Sequence, residues 1–144
     1  MSDLGVTVAG IEFQNPIILA SGTAAFGRSL DGVINIDSLG GIVTKAVSLE
    51  PRAGNAAPRV AEFDGGMVNA VGLANPGVEA VRRDDLPWLA QHVKRARVIV
   101  NVVGSRTEDF GEVVRKLEDC DGISAFELNV SCPNVRAGGI EFCA

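Results

Sequence analysis

Polar residues that could bind or transform a small molecule accompany each of four short apolar runs in the chain. They are Ser21-Gly22 after the first run, Lys45 after the second, Asn101 within the third, and 129–134 after the fourth. Runs of this length are typical of strands, and parallel strands bring their carboxyl ends to one edge of a sheet, where α/β proteins bind their ligands. The pattern therefore predicts one site assembled from all four segments.

Cys132 is the candidate for proton transfer. It lies in the segment Asn129-Val130-Ser131-Cys132-Pro133-Asn134, where two carboxamides and a hydroxyl surround a single thiol. A thiolate can act as a general base if its environment favours proton loss. The alternative is that Cys132 is a small apolar side chain filling a gap, as many free cysteines are.

Lys45 ends an apolar run, Gly41-Ile42-Val43-Thr44. A cation in this position could face an anionic substrate or an electron-rich cofactor ring. The simpler alternative is a side chain that reaches from the strand end to solvent.

The segment Asn69-Ala70-Val71-Gly72-Leu73-Ala74-Asn75-Pro76-Gly77 closes a long, proline- and glycine-rich connection that starts at Lys45. Asparagine offers a donor and an acceptor together, which suits the edge of a heterocycle, and Gly72 would let the backbone approach a ligand. A plain turn would use the same residue types. Connections of this length inside a domain are usually functional or disordered.

Predicted strands and helices alternate along the chain, which indicates an α/β fold with a parallel sheet. A small hairpin is predicted over Gly5–Ala9 and Ile11–Phe13. Strands buried on both faces are predicted at Pro16–Ala20, Gly41–Thr44, Val98–Val103 and Gly122–Val130. Four β/α units make half of a (β/α)₈ barrel, which takes about 250 residues. An open four-stranded sheet is the alternative.

Three helical segments are predicted between the strands. Phe110, Val113, Val114 and Leu117 form one apolar stripe, with Ser105 and Glu108 as a capping box at its start. A second helix spans about Val78 to Arg95 and is broken or kinked at Pro87. A weaker helical stretch covers Leu30–Ile36.

Composition excludes several function classes. The net charge of −5 and the lack of a strong basic cluster argue against nucleic acid as a partner. The first residues do not predict a signal peptide, and no apolar run in the sequence has the length expected of a membrane span. Three cysteines form neither a metal-binding spacing nor a disulfide framework, so we expect free thiols, no metal site and a cytoplasmic protein.

The combination of Asn129–Asn134, Asn69–Gly77 and Lys45 resembles the dihydroorotate dehydrogenase family. The opening Leu4–Gly22, with its Asn15-Pro16-Ile17-Ile18-Leu19-Ala20-Ser21-Gly22, is similar to the start of that family. The likeness runs from Leu4 to about Phe142. It implies the N-terminal half of a (β/α)₈ TIM barrel preceded by a small β-hairpin, an FMN cofactor, and oxidation of dihydroorotate to orotate in de novo pyrimidine synthesis.

The resemblance also implies roles for individual residues. Cys132 would remove a proton from C5 of dihydroorotate, with Lys45 as a second catalytic residue. The residues implied to contact FMN are Ala20, Ser21, Gly22, Lys45, Ala46, Asn101 and Asn129. Those implied to contact the substrate are Lys45, Asn69, Ala70, Val71, Gly72, Leu73, Asn129 and Asn134.

A cysteine base resembles the soluble class of the family, and Asn69–Gly77 is similar to the subgroup that passes electrons to NAD through an iron–sulfur FAD subunit. A homo-oligomer or heterotetramer is the expected assembly. Because the sequence ends just after the fourth strand, we expect residues 1–144 to be a truncated first half of the barrel domain that is inactive alone.

Two alternatives remain at this stage. One is a related FMN-dependent dihydropyrimidine reductase or dehydrogenase, which would act on rings without the carboxylate. The other is a non-catalytic half-barrel that associates through its exposed strand edges.

Overall fold

The computed structural model describes residues 4–130, which begin with the predicted antiparallel hairpin. Strand β1 (Val6–Val8) pairs with β2 (Ile11–Phe13). The turn residues Ala9 and Gly10 both have positive φ, 49° and 81°, as the tightest hairpin turns require. Glycine meets this requirement without strain.

The described chain then forms a four-stranded parallel sheet in which each strand pairs with the next one along the chain. The strands are β3 (Ile18–Leu19), β4 (Gly41–Val43), β7 (Arg97–Val102) and β8 (Ile123–Leu128), in the order β3-β4-β7-β8. The predicted α/β class and the positions of all four strands are confirmed. Because all four run the same way, their carboxyl ends share one edge.

The two outer strands of this sheet, β3 and β8, are not buried on both faces, contrary to the prediction from their apolar runs. Leu128, at the end of β8, is 55% exposed. Ile17 is 58% exposed and Ile18 39% exposed. Strand β3 lies at the edge of the described sheet and is only two residues long. Position in the sheet, rather than local sequence, decides whether an apolar strand is covered.

The helix predicted from the apolar stripe is confirmed as α3 (Thr107–Leu117), which buries Phe110, Val113 and Leu117. Its predicted cap was wrong by one residue. The Asp109 carboxylate, not Glu108, accepts the N–H groups of Ser105 and Arg106, at 2.9 and 3.0 Å. Arg106 is the N-cap residue, so the acid three positions on is Asp109.

The second helix extends over α1 (Val78–Ala80), a π-helical turn (Val81–Asp85) and α2 (Leu86–His92). Pro87 lies in the first turn of α2, where the missing N–H is tolerated. The wider π-helical turn directly before it accommodates the proline without a break in helical backbone angles. The helix ends at His92 rather than at Arg95.

The helical stretch predicted at Leu30–Ile36 was wrong. The structure has two separate 3₁₀ turns, at Arg28–Leu30 and Ile36–Ser38, joined by an irregular segment. Val33 is 73% exposed between them, so this segment has no apolar face turned toward the core. Without that packing, short helices are marginal.

The long connection after Lys45 contains a second antiparallel hairpin that the sequence analysis did not predict. Strand β5 (Val60–Phe63) pairs with β6 (Gly66–Asn69) across the turn Asp64-Gly65. All eight strand residues are exposed. This hairpin ends at Asn69, where the polar segment 69–77 begins.

The core lies between the sheet and the helices on one of its faces. Ile42, Val98, Val100 and Val102 from β4 and β7 pack with residues of the helices. The helical contributors include Val78, Val81, Leu86, Leu89, Phe110, Val113 and Leu117. Alternation along the strands then leaves Val43, Ile99 and Asn101 on the opposite face.

Asp37 binds the segment that directly follows the second helix. Its Oδ1 accepts the backbone N–H groups of Lys94, Arg95 and Ala96, at 2.8, 2.5 and 2.9 Å. Partial burial opposes ionisation, but the three N–H donors outweigh it and lower the pKa of Asp37 below its ordinary value. A carboxylate is well suited to this place because it only accepts.

Replacing Asp37 with alanine should lower the free energy of unfolding by about 2 kcal/mol at neutral pH, because three N–H groups lose a charged acceptor. The lowered pKa means that this stabilisation is complete above the ordinary value of 3.8 and disappears as the pH falls through the folded-state value. Urea titrations at pH 7 and at pH 3 measure the difference.

Asp31→Ala, on the same exposed segment, is the matched control and should change stability by less than about 0.5 kcal/mol. An Asp37→Ala protein as stable as the parent at pH 7 would contradict the role given to this carboxylate.

Candidate functional site

The carboxyl ends of the four parallel strands border one open cleft of about 810 Å³. It receives side chains from the loops after β3 and β4, from β6 and the segment following it, and from the ends of β7 and β8. Its described lining residues are Ser21, Gly22, Thr23, Lys45, Ala46, Met67, Asn69, Val71, Gly72, Leu73, Asn101, Glu127, Leu128, Asn129 and Val130.

A run of hydrogen bonds joins these strand ends, and we call its members Ser21, Thr44, Asn101 and Asn129 the polar belt. The Ser21 hydroxyl donates to the Thr44 carbonyl at 2.9 Å. The Asn101 backbone N–H donates to Thr44 Oγ1 at 3.2 Å, and Asn129 Nδ2 donates to Asn101 Oδ1 at 3.4 Å. Each member comes from a different strand, so the belt ties all four ends together.

Thr44 is the centre of the belt and is fully buried. Its N–H donates to the Ile99 carbonyl at 2.9 Å, which continues the sheet ladder. Its hydroxyl accepts from Asn101 and donates to the Lys45 carbonyl at 3.0 Å. The hydroxyl thus satisfies two backbone groups at the point where the β4–β7 ladder is interrupted.

The interruption at Lys45 and Ala46 turns the lysine toward the cleft. The Lys45 N–H donates to the Ala25 carbonyl in the preceding loop at 2.9 Å, and pairing with β7 resumes only where Val47 N–H donates to the Asn101 carbonyl. An extra residue in a ladder commonly re-aims a side chain next to a binding site. Within residues 4–130, the Lys45 ammonium has no hydrogen bond or ion pair.

Asn101 lies on β7 opposite Glu127 on β8, and its side chain is buried. Asn101 Nδ2 donates to Glu127 Oε1 through a short hydrogen bond. Asn129 follows two residues after Glu127, so strand alternation places it on the same face. The three side chains form one connected group on the wall of the cleft.

The segment 69–77 is held in place by Asn75, which is buried. Asn75 Oδ1 accepts the N–H groups of Ser48 and Gly77, at 3.2 and 2.9 Å, and Nδ2 donates to the Leu73 carbonyl at 2.9 Å. Arg52 and Asn75 also exchange two backbone hydrogen bonds. The Asn75 carboxamide therefore stabilises the conformation of the segment 69–77 through bonds within the chain.

Gly72 is required by its surroundings within the chain. Its φ is +74°, and an added Cβ would lie 2.8 Å from Asn55 Cγ and 2.9 Å from Asn55 N. A side chain here would be both strained and crowded. The close approach predicted for Gly72 therefore involves Asn55, while the residue also lines the cleft.

Most of the residues predicted for the site meet in this cleft. Those among its lining are Ser21, Gly22, Lys45, Ala46, Asn69, Val71, Gly72, Leu73, Asn101 and Asn129. Ala20 and Ala70 are not among them. The Ala20 carbonyl accepts from Thr23, and the Ala70 backbone pairs with Arg59 and with the Asn55 side chain. Cys132 and Asn134 lie outside the described residues.

Sequence analysis missed Thr23, Met67, Glu127, Leu128 and Val130 as lining residues. Glu127 is the important omission, because it is the acid that contacts Asn101. Apart from Asn101, the predicted site residues were taken from loops, although the period of two along a strand identifies Glu127. Counting back two positions from Asn129 leads to this residue, which is the charged residue of β8.

Other titratable side chains lie away from the cleft. Burial raises the pKa of the Cys120 thiol, which lies beyond the end of α3. His92 Nδ1 is 2.8 Å from the Trp88 carbonyl, and the two rings stack. Residues 4–130 hold no group of three or more His, Cys, Asp or Glu side chains arranged to bind a metal ion. No helix in that range is long and apolar enough to cross a membrane.

The sequence from residue 3 to residue 144 matches the family model described as dihydroorotate dehydrogenase. The chain belongs to the dihydroorotate dehydrogenase family. It is 45% identical over 141 residues to a protein of Latilactobacillus sakei and 47% identical over 140 residues to one of Alkaliphilus oremlandii. Both relatives are named dihydroorotate dehydrogenase B (NAD(+)), catalytic subunit.

The matches cover 98% and 97% of this chain but only 46% and 45% of those two relatives. The chain therefore spans about half the length of the dihydroorotate dehydrogenases it matches. Its fold resembles that of DHODH from Eimeria tenella, crystallised with ferulenol, with a TM-score of 0.73 at 19% identity. That alignment covers 93% of this chain and 38% of the crystallised one.

Replacing Thr44 with valine tests the centre of the polar belt in this family member. Valine has nearly the same shape, so the change leaves the Asn101 N–H and the Lys45 carbonyl without their side-chain partner. We expect the free energy of unfolding to fall by about 1–3 kcal/mol, measured by urea titration.

Thr7→Val, on the exposed hairpin strand β1, is the matched control and should stay within about 0.5 kcal/mol of the parent. Equal stability of the two variants would show that the Thr44 hydroxyl does not hold the strand ends together.

Proposed function

We propose that the protein containing this chain is an FMN-dependent dihydroorotate dehydrogenase that oxidises dihydroorotate to orotate. The observation that carries the proposal is the meeting of Lys45, Asn69, Asn101 and Asn129 in one cleft of a chain from this family. Four segments that are far apart in sequence contribute one cation and three carboxamides to the same site.

We also propose that the described sheet is the first half of a (β/α)₈ barrel. The order β3-β4-β7-β8 is that of the first four strands of such a barrel, each parallel to its successor. The free side of β3, with Ile17 and Ile18 exposed, is the edge at which a closing strand would pair. The additional hairpin β1–β2 precedes it.

The donors and acceptors of the cleft fit a flavin ring. An isoalloxazine presents alternating carbonyls and ring nitrogens on its polar edge, and carboxamides such as Asn101 and Asn129 can match both. The loop Ser21-Gly22 comes to the cleft with a hydroxyl held by Thr44, so its backbone is fixed in place. The residues that would hold FMN are Ala20, Ser21, Gly22, Lys45, Ala46, Asn101 and Asn129.

The substrate would lie against Lys45, Asn69, Ala70, Val71, Gly72, Leu73, Asn129 and Asn134. When bound, FMN supplies the acceptor for the hydride that leaves C6 of dihydroorotate. Removal of the proton at C5 places negative charge on the neighbouring carbonyl oxygen. A cation such as Lys45 stabilises that charge more strongly in a cleft than in water, because water would otherwise compete for it.

Cys132 is proposed as the base that takes the C5 proton. It follows Asn129 by three residues, just beyond the end of the fourth parallel strand. An uncharged thiol is a weak base, so the role requires an environment that favours the thiolate. Asn134, in the same segment, would contact the ring or its carboxylate.

The names of the relatives support the NAD-linked subgroup. Each is a catalytic subunit, which implies a second subunit, and NAD(+) is the acceptor that the names give. We therefore propose that this protein passes electrons to NAD through an iron–sulfur FAD partner subunit. Homo-oligomer or heterotetramer assembly and a cytoplasmic location stay predictions.

Replacing Cys132 with alanine in the full-length protein should lower the turnover of dihydroorotate about 10²–10⁴-fold, because a positioned base is lost. Replacing Lys45 with alanine should lower it about 10²–10³-fold, because charge stabilisation is lost. Turnover is followed by orotate absorbance, and orotate affinity by the change in flavin absorbance.

Cys120→Ala is the control, because that thiol lies outside the cleft and its loss should leave turnover unchanged. Faster oxidation of dihydrouracil than of dihydroorotate would replace the proposal with the dihydropyrimidine alternative. A folded full-length protein that binds no flavin would support the non-catalytic alternative.

A further inference from the structure

Glu127 is a carboxylate in a cleft whose proposed ligands, FMN and dihydroorotate, are themselves anions. It is directly opposite Asn101 in the β7–β8 register, and paired residues of parallel strands project from the same face. Nothing in the proposed chemistry calls for a second base here. Its described partner is the carboxamide of Asn101.

The chemistry of that contact determines which way the Asn101 carboxamide points. A carboxylate only accepts hydrogen bonds, so Asn101 must turn its Nδ2 toward Glu127 and its Oδ1 away. The reverse orientation would face the carbonyl oxygen of the buried Asn101 against a carboxylate, without any donor between them. The bond is also charge-assisted, which makes it stronger than one between two carboxamides.

The orientation of Asn101 in turn determines that of Asn129. Asn101 Oδ1 accepts from Asn129 Nδ2 at 3.4 Å. Because one N–H of Asn129 Nδ2 is used in this way, the amide is held with its carbonyl oxygen Oδ1 directed away from Asn101. Among residues 4–130, no donor reaches that oxygen.

We propose that Glu127 is a positioning residue that acts through Asn101 to make Asn129 present a hydrogen-bond acceptor to the ligand. The group recognised is a ring N–H of a cyclic imide or amide, which both the dihydropyrimidine and the flavin carry. A ligand with a carbonyl at that position would be rejected. This inference rests on the proposed function. It adds Glu127 as the side chain that determines whether Asn129 presents a hydrogen-bond acceptor or a donor.

An exchange of donor and acceptor between positions 101 and 127 tests the chain of contacts in the full-length, FMN-loaded protein. Asn101→Asp alone sets two carboxylates against each other. Adding Glu127→Gln restores the hydrogen bond in the opposite direction, because the amide introduced at position 127 can donate to the carboxylate introduced at position 101. Position 101 still offers an oxygen that accepts from Asn129. The readout is the dissociation constant of orotate, from the change in flavin absorbance, with the flavin content measured in parallel.

The single variant Asn101→Asp should bind orotate about tenfold or more weakly, and the double variant should recover to within about threefold of the parent. If the double variant recovers its flavin content but not its orotate affinity, the ring N–H that Asn129 contacts belongs to the flavin. If it recovers its orotate affinity, that N–H belongs to the substrate. A merely structural role for Glu127 predicts that the second substitution adds to the damage of the first.

A second pair does not depend on the folding of the Asn101→Asp protein. Glu127 is exposed, so its substitution should be tolerated by the fold. Glu127→Ala removes the oxygen that accepts from Asn101 Nδ2, whereas Glu127→Gln keeps a carbonyl oxygen that can accept the same hydrogen bond. Orotate should therefore bind about fivefold or more weakly to the alanine variant than to the glutamine variant. Glu112→Gln, on the outer face of α3, is the control and should bind orotate like the parent.

Equal affinity of the Glu127→Ala protein and the parent, or a double variant no better than Asn101→Asp, would overturn the positioning role while leaving the proposed function intact. A flavin-loaded parent protein whose spectrum does not respond to orotate would overturn both.

Discussion

The hydrogen bonds of the polar belt impose the main constraint on this molecule, because they join the ends of four parallel strands. Backbone ladders fix the strands along their length, but pairing between β4 and β7 is interrupted at Lys45 and Ala46. The Thr44 hydroxyl and the Asn101 and Asn129 carboxamides then take over from the backbone. Asn101 and Asn129 thus both join the strand ends and line the cleft.

The core explains why this edge can be polar. Apolar side chains from the sheet and helices are concentrated on one face, where Ile42, Val100 and Val102 are almost completely buried. That packing fixes the strands without help from the opposite face, which is free to carry Asn101, Glu127 and Asn129. This division leaves apolar packing to the helix-covered face and polar contacts to the opposite one.

Much of the fold could be predicted from the sequence because its signals were local. The Ala9-Gly10 turn, the apolar stripe of α3 and the four apolar runs all gave the right elements. The hairpin β5–β6 was missed although Asp64-Gly65, between two β-type runs, is a strong hairpin signal. The connection was expected to be functional or disordered, and no strand was predicted in it.

Other predictions were wrong because they depended on contacts between segments that are distant in sequence. Burial of Ile17 and Ile18 depends on which strand lies beside them, and helix formation near Leu30 depends on a surface to pack against. In the cleft, residue types after the strands identified most lining residues, but Glu127 lies inside a strand. Its contact with Asn101 follows from the register between β7 and β8, which no single segment reveals.

We propose that the ligands bind at the carboxyl edge joined by the polar belt. A crystal structure of the full-length protein with FMN and orotate would locate them. Both ligands should lie in the cleft, within hydrogen-bond distance of Lys45, Asn101 and Asn129. Ligands bound instead at the opposite end of the sheet, near the β1–β2 hairpin and Arg97, would contradict it.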